Sequence, residues 1–144
     1  MTRLERDDWA RLLPHAGAMC LLDVVEAWDA ATIHAGSMGH ARCDHPLRGR
    51  CGLHAVHLAE YGAQAMALHG ALLARAEGGE AVRPGMLVSL RDVRLAAAFV
   101  DAEGGRLDVH AERLYADAAG AQYAFRVEQA GCVLASGRAA AMYG

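Results

Sequence analysis

The sequence contains no lysine and no asparagine, so all 14 of its basic residues are arginines. These arginines form no continuous run, and aromatic residues make up only 6% of the chain. Nucleic-acid-binding domains usually carry a clustered basic patch or stripe. The formal net charge is −3. We therefore expect no binding to nucleic acid.

The chain also has no Cys-x-x-Cys pair and no long apolar run, and its first residues are not expected to be a signal peptide. Lone cysteines in a reducing compartment are mostly small buried apolar groups. Residues 1–18 carry charges throughout their first half, unlike a secretory signal. No uncharged apolar run has the length of about 20 residues that a membrane span needs. We therefore expect a cytoplasmic protein that does not enter a membrane. Its cysteines stand at Cys20, Cys43, Cys51 and Cys132.

Length and composition predict one globular domain over residues 1–144, because 54% of the residues are hydrophobic and 22% charged. A short helix or turn is expected over 3–13 and a polar loop over 39–52. Between and after them, the hydrophobic pattern and the Gly-containing turns predict six strands. The predicted strands cover 20–28, 31–38, 86–95, 107–115, 123–127 and 132–142.

Residues 53–76 are predicted to form one long helix that is apolar nearly all round, and such a helix is normally buried. Three polar side chains, His57, Glu60 and Gln64, fall within a stripe roughly 60° wide on this helix. A carboxylate in an apolar helix is costly unless it is paired or functional. Glu60 is therefore the first candidate for a functional residue.

The predicted element order is two strands, one long helix and four strands. The last four strands are joined by short turns, so they must run antiparallel. One apolar helix and one such sheet give a two-layer α+β domain. Because a single flat sheet face would not cover this helix, we expect either a sheet that curves around it or a partner subunit.

Two segments resemble motifs of a known family. Residues 12–25 read Leu-Leu-Pro-His-Ala-Gly-Ala-Met-Cys-Leu-Leu-Asp-Val-Val, and residues 60–64 read Glu-Tyr-Gly-Ala-Gln. They resemble the Leu-Pro-His…Leu-Asp-Arg-Val and Glu-Ala-Met-Ala-Gln motifs of the hotdog-fold 3-hydroxyacyl-ACP dehydratases of fatty acid synthesis. The chain is most similar to the divergent dehydratase-like proteins of aryl-polyene pigment clusters, which carry Glu-Tyr-Met-Ala-Gln.

This resemblance implies a hotdog fold, in which a curved antiparallel sheet wraps a long central helix. It also implies a homodimer or larger assembly with active sites at the subunit interface. The expected reaction is dehydration of a 3-hydroxyacyl thioester on acyl-carrier protein to the trans-2-enoyl thioester, in fatty acid or polyene biosynthesis. No cofactor would be needed.

The match departs from the family ahead of the helix. The usual dehydratase has Gly-His-Phe-Pro there and Met-Pro-Gly at the helix start, whereas this chain has Asp-His-Pro-Leu at 44–47 and Arg-Cys-Gly-Leu at 50–53. His45 lies 15 residues before Glu60, one more than in the common pattern. His45 is the best candidate for the catalytic histidine.

Dehydration needs a base, an acid and donors for the thioester oxygen. His45 suits the base, since histidine titrates near neutral pH. Glu60 in an apolar helix is expected to have a raised pKa and to protonate the leaving hydroxyl. The amides around Gly52 and Leu53, at the expected helix start, would bind the thioester oxygen as substrate contacts.

Two further residues of the helix are candidates for the substrate site. His57 shares a face with Glu60 and would pair with it or replace His45 as the base; a histidine satisfied in the core or an interface is an equal alternative. Gln64, one turn beyond Glu60, would orient its carboxylate by a hydrogen bond.

A metal site is not expected. His54, His57 and Glu60 spread over about 120° of the helix, which is awkward for three ligands of one ion. The His-x-x-x-His spacing of zinc proteases is also absent from this helix.

Two other functions remain open from the sequence. A hotdog thioesterase would use a helix carboxylate and the same amides with water as nucleophile, on an acyl-CoA or acyl-ACP substrate. Alternatively, the altered motifs indicate a non-catalytic subunit that completes the site of a related dehydratase in a hotdog heterodimer.

Overall fold

The computed structural model describes residues 3–13, 17–78 and 85–143. After a short strand and a single helical turn, two strands precede the long helix and four follow it, which matches the predicted order. The elements are β1 (Leu4–Glu5), α1 (Arg6–Trp9), β2 (Val24–Trp28), β3 (Thr32–Ser37), α2 (Leu58–Ala76), β4 (Gly85–Leu95), β5 (Leu107–Ala116), β6 (Gly120–Gln129) and β7 (Cys132–Tyr143).

The strands form one antiparallel sheet in the order β1-β2-β3-β5-β6-β7-β4. Helix α2 packs on one face of this sheet, against β3, β5, β6 and β7. The structure thus has the predicted α+β architecture. Among the described residues, no helix combines the length and apolarity that crossing a bilayer requires.

Alternation along the central strands builds the core. On β6, and on β5 as far as Ala111, every second residue faces α2 and is buried, while the residues between them point to the outer face of the sheet. The contact is closest at Gly62, where an added Cβ would lie 2.6 Å from the ring of Phe125. The absence of a side chain at Gly62 therefore lets α2 approach the sheet. The buried residues of these strands include Leu107, Val109, Ala111, Ala121, Tyr123, Phe125 and Val127.

The helix begins later than predicted. Residues 53–55 instead join an isolated bridge to the segment around Phe99, through Ala55 N to Ala98 O at 2.8 Å and Val100 N to Leu53 O at 2.9 Å. A 3-10 turn, Ala55–His57, then leads into α2 at Leu58. The His54 ring caps this turn, because its Nδ1 accepts the Val56 N–H at 3.0 Å. Pairing with Phe99 holds residues 53–55 extended and so delays the helix.

Among the described strands, β4 pairs only with β7 and forms one edge of the sheet. Its register shifts between Arg91 and Arg94, and Asp92 within this bulge has φ of 52°. The strand is unusually apolar for an edge. Its exposed hydrophobic side chains are Met86, Leu87, Val88, Leu90, Val93 and Leu95.

Candidate functional site

The candidate residues from the sequence meet around the start of α2. Glu60 lies in its first turn, His57 is its N-cap residue and Gln64 lies one turn further on. His45 belongs to the loop that follows β3 and reaches α2 from the side. The structure therefore brings residues of the loop and the helix into one region.

His45 is almost completely buried and both of its ring nitrogens are hydrogen-bonded. Its Nδ1 accepts the Leu47 N–H at 3.1 Å, and its Nε2 lies 2.9 Å from the Tyr61 hydroxyl. A neutral imidazole has one N–H, and here it must be on Nε2, because Nδ1 is an acceptor. Nε2 therefore donates to Tyr61. The prediction that His45 presents a basic nitrogen to a substrate does not fit this geometry.

The surroundings of His45 keep its ring neutral. Burial lowers the pKa of His45, and the positive charges of Arg42 and Arg48 and the nearby imidazoles of His40 and His57 lower it further. Burial raises the pKa of the Tyr61 hydroxyl well above its usual value, so Tyr61 remains protonated. The pair is thus an uncharged buried hydrogen bond.

Glu60 and His57 lie closer to the protein surface than His45 does. Both side chains are half-buried, and three residues separate them, so they share one face of the helix start. The Glu60 carboxyl group lies in the first turn of α2. Within the described ranges, the His57 ring makes no hydrogen bond. Glu60 and His57 can therefore meet a substrate or a partner subunit.

The predicted oxyanion donors need correction. Gly52 has φ of +111° and its N–H donates to Gly49 O at 3.2 Å, so this amide already has an acceptor. Leu53 is buried, and its carbonyl accepts from Val100. In the part of the chain that the structure describes, the N–H groups of Leu53 and His54 have no acceptor. The candidate donors therefore lie in the extended segment before the 3-10 turn, because the helix starts later than expected.

Gln64 is fully buried, and its amide binds backbone rather than Glu60. Its Nε2 donates to Met19 O at 2.7 Å, and its Oε1 accepts the Leu21 N–H at 2.9 Å. The Ser37 hydroxyl donates to Leu21 O at 2.6 Å and holds the same segment from β3. Gln64 thus joins the two sequence motifs, which lie far apart along the chain.

A cleft of about 450 Å³ opens beside His45. Arg6 and Asp23 form an ion pair of 2.6 Å in its wall, and Asp23 also accepts the Met38 N–H at 2.6 Å. Arg6, Asp23 and Tyr61 were not among the candidate residues predicted from the sequence. Asp23 and Tyr61 lie within the two motifs that resemble the family, so their position in the motifs could have identified them as candidates.

Metal ligands do not cluster in the described ranges, where no group of three or more His, Cys, Asp or Glu side chains is arranged to hold an ion. His54, the first residue of the His54, His57 and Glu60 set, uses its Nδ1 to cap the 3-10 turn. Its ring also packs edge-on against Phe99, with centroids 5.2 Å apart.

Comparisons with known proteins agree with this architecture. The family model for ApeP-like proteins, described as ApeP dehydratase, matches residues 8–143. The structure titled the dehydratase heterocomplex ApeI:P from Xenorhabdus doucetiae is similar at 25% identity and a TM-score of 0.84, over 98% of this chain and 91% of that chain. No protein with a curated description matches the sequence.

More distant structures share the fold alone. S. sahachiroi AziG is 21% identical with a TM-score of 0.63, over 92% of this chain and 98% of that chain. A hypothetical thioesterase with coenzyme A from Streptococcus pneumoniae is 10% identical with a TM-score of 0.62, over 83% and 84%. The hotdog fold predicted from the sequence is confirmed.

Proposed function

The chain belongs to the ApeP-like dehydratase family, and on that basis we propose that it works as one subunit of a two-subunit hotdog dehydratase. The substrate is a 3-hydroxyacyl chain on acyl-carrier protein and the product is the trans-2-enoyl thioester. The dehydratase function and the relation to the aryl-polyene dehydratases, both predicted from the sequence, are confirmed by this family.

The state of His45 is the observation that carries the two-subunit proposal. Its Nδ1 and Nε2 are both bonded inside the subunit, to Leu47 and Tyr61. A general base needs a free lone pair within reach of the substrate proton. We therefore assign His45 a positioning role, in which it holds Tyr61 and the start of α2. The base comes from a second subunit, and His57 is the alternative within this chain.

Glu60 is the catalytic residue that this chain contributes. The base removes a proton from the carbon next to the thioester carbonyl, and negative charge builds on the thioester oxygen. The N–H groups of Leu53 and His54 are placed to stabilise that oxygen. Protonated Glu60 then gives its proton to the 3-hydroxyl group, which leaves as water while the C2–C3 double bond forms. Proton transfer from the base restores Glu60.

The free β4 edge supports assembly with a second subunit. An apolar edge strand is a template for pairing with another sheet. The similar X. doucetiae structure is described as a heterocomplex, so a hotdog heterodimer is proposed ahead of a homodimer. Action on carrier-bound chains places the protein in the cytoplasm, in keeping with its four free cysteines.

The proposal is tested by assaying the chain alone and mixed with a hotdog partner of the ApeI type, with conversion of 3-hydroxyacyl-ACP followed by mass spectrometry. We expect activity in the mixture only. Glu60→Gln in this chain should lower kcat of the mixture by on the order of 10²–10⁴-fold, because the proton donor is lost. Glu77→Gln, an exposed carboxylate just after α2, is the matched control.

Three outcomes would contradict the proposal. Full activity with Glu60→Gln would remove the assigned acid. Equal activity of the chain alone would remove the need for a second subunit. If His57→Asn abolished activity, while changing the histidine of the partner's dehydratase motif to asparagine did not, the base would lie in this chain.

The thioesterase alternative from the sequence has weaker support. The similar thioesterase from S. pneumoniae is only 10% identical to this chain. The same assay separates the two reactions, since a thioesterase releases free thiol and a dehydratase leaves the thioester intact.

A further inference from the structure

The outer face of the sheet, opposite α2, carries a transverse row of hydrogen-bond donors. Cross-strand register aligns Arg94 on β4 with Ser136 on β7, and Ser136 with Arg126 on β6. The row continues through His110 on β5 to His34 on β3. Directly paired residues have Cβ atoms about 5 Å apart. Five neighbouring strands thus present side chains that can donate hydrogen bonds along one line.

Ser136 lies at the centre of the positive end of this row. Arg94 and Arg126 flank it on the two adjacent strands, and Arg138 follows two residues later on the same face of β7. Residues two apart on a strand are separated by about 7 Å. Three arginines on three adjacent strands therefore neighbour Ser136 in the sheet. These residues line a cleft of about 520 Å³, here called the Ser136 cleft.

A backbone irregularity places Arg94 in this arrangement. Between Arg91 and Arg94, β4 has one residue more than β7, because Arg91 pairs with Arg138 and Arg94 with Ser136. Without the bulge, Val93 would stand opposite Ser136. Asp92 in the bulge has φ of 52°, a left-handed conformation that is unfavourable for a residue with a side chain. Bulges often re-aim side chains at functional sites.

The other end of the row has hydrogen-bond and ion-pair partners within the sheet. His34 and His110 stack with ring centroids 4.2 Å apart, His34 Nε2 lies 2.8 Å from Asp108 and His110 Nε2 lies 3.3 Å from Glu128. Arg126 uses its Nε for Glu128 at 3.1 Å, which leaves its two terminal nitrogens for another acceptor. Positive charge without a partner is therefore concentrated around Ser136.

Arg94 and Arg138 are exposed, and neither makes an ion pair or a hydrogen bond within the described ranges. The hydroxyl of the half-buried Ser136 also makes no hydrogen bond within these ranges. Two carboxylates, Asp92 and Glu112, also line the cleft. Glu112 lies on β5, two strands away from Arg138, and Asp92 lies in the bulge. Like charges at this spacing repel one another, and a bound anion would relieve that cost.

We propose that the Ser136 cleft binds a phosphate group, either as inorganic phosphate or as a phosphate monoester. Arg94, Arg126 and Arg138 supply the charge, and the Ser136 hydroxyl supplies a neutral donor at the floor. Planar guanidinium groups match the geometry of phosphate oxygens by paired hydrogen bonds. This site lies on the opposite face of the sheet from α2 and is independent of the proposed dehydratase chemistry.

The test is an NMR titration of the full ¹⁵N-labelled chain with inorganic phosphate and, in a second arm, with phenyl phosphate. Sodium chloride at matched ionic strength is the reference. We expect saturable shifts of the Ser136, Arg94, Arg126 and Arg138 amides with either phosphate. Tighter binding of phenyl phosphate identifies the monoester, and equal binding identifies the free ion.

Arg94→Gln and Arg138→Gln should each weaken binding by about tenfold, because each removes a charge-assisted contact. Arg11→Gln, an exposed arginine in the Ala10–Leu12 turn, is the control and should bind as the parent does. Shifts that chloride reproduces, or affinities unchanged in both cleft variants, would overturn the proposal. The wild-type titration does not depend on how well a variant folds.

Discussion

At the scale of single residues, three polar side chains of α2 are buried, and each is hydrogen-bonded to defined partners. Tyr61 receives the hydrogen bond of His45, and Gln64 binds the backbone at Met19 and Leu21. His69 joins Tyr123 to the carbonyl of Asp29, just after β2. Buried polar groups cost free energy unless they are hydrogen-bonded. These residues therefore fix how the helix sits against the rest of the molecule.

Gln64→Leu should lower the free energy of unfolding by about 2–4 kcal/mol, because the Met19 carbonyl and the Leu21 N–H would be left buried without partners. Denaturant unfolding followed by circular dichroism measures the change. Gln122→Leu, an exposed glutamine on β6, is the matched control and should change stability by less than about 0.5 kcal/mol. Equal effects of the two substitutions would contradict this role for Gln64.

His69 makes stability depend on pH. Its Nε2–H donates to Asp29 O at 2.7 Å, so Nδ1 accepts the Tyr123 O–H at 2.5 Å and the ring is neutral. Burial lowers the pKa of His69, with a smaller contribution from the Arg113 charge. Because the folded-state pKa lies below the unfolded one, the unfolded chain binds the proton first. Stability should be unaffected above pH 7 and fall below about pH 6.5.

His69→Gln should remove this part of the pH dependence. The slope of unfolding free energy against pH below 6.5 is expected to decrease by up to about 1.4 kcal/mol per pH unit. Urea unfolding of the parent protein and of His69→Gln at pH 8.0 and pH 5.5 measures this change in the pH dependence of stability. The buried histidines His40 and His45 also have lowered pKa values and supply the slope that remains. Parallel profiles for parent and variant would refute the assignment.

At the scale of elements, the start of α2 and its contact with the sheet decide the geometry of the candidate site. The bridge between His54 and Phe99 holds the chain extended and delays the helix until Leu58. Gly62 then brings the first turns of α2 onto Phe125. Glu60 and Tyr61 owe their positions to both constraints.

Gly62→Ala and Gly70→Ala should shift the melting temperature in opposite directions. A Cβ at Gly62 would lie 2.6 Å from Phe125, and such overpacking costs about 1–3 kcal/mol. At Gly70 the nearest atom would be the Tyr143 hydroxyl at 3.9 Å, so alanine fits and gains about 0.5–1 kcal/mol of helix stability. Calorimetry of both variants checks this. A higher melting temperature for Gly62→Ala would show that the helix is not held as closely as described.

At the scale of the whole molecule, β4 is the part of the surface least suited to an isolated subunit. It is a long edge strand whose exposed residues are mostly apolar, and it has few charges before the bulge. Soluble proteins protect such edges with charges, prolines or a covering element. Assembly through β4 would cover the edge and bring a second subunit to the sheet that carries α2.

Leu90→Lys on β4 should prevent this assembly, because a charge on the edge opposes strand pairing. Light scattering of the chain with its hotdog partner is expected to show separate subunits, with dehydratase activity lost in parallel. Leu114→Lys places the same charge on β5, an inner strand, and should leave the complex intact. A stable complex with Leu90→Lys would show that the subunits associate through a surface other than the β4 edge.

The sequence predicted the fold well because its signals are local or motif-based. Alternation with period two marks β5, β6 and β7, and a long apolar run marks α2, since each pattern follows from how side chains leave a strand or a helix. The start of α2 was predicted wrongly at residue 53. Hydrogen bonds of Leu53 and Ala55 to Val100 and Ala98, more than 40 residues away, decide where the helix begins, and no local pattern predicts them.

Some features of the candidate site likewise follow from local sequence patterns, and others depend on contacts between distant segments. The sequence by itself determined the family, the α+β fold and the position of Glu60 on α2, because motif spacing and periodicity are properties of neighbouring residues. Only the tertiary structure decided that Gln64 binds the backbone of Met19 and Leu21, that Gly52 lacks a free N–H and that His45 donates to Tyr61. Hydrogen bonds between distant segments depend on how the chain folds back on itself. His45 is a histidine near the spacing expected for the catalytic residue, yet its ring is bonded inside the subunit.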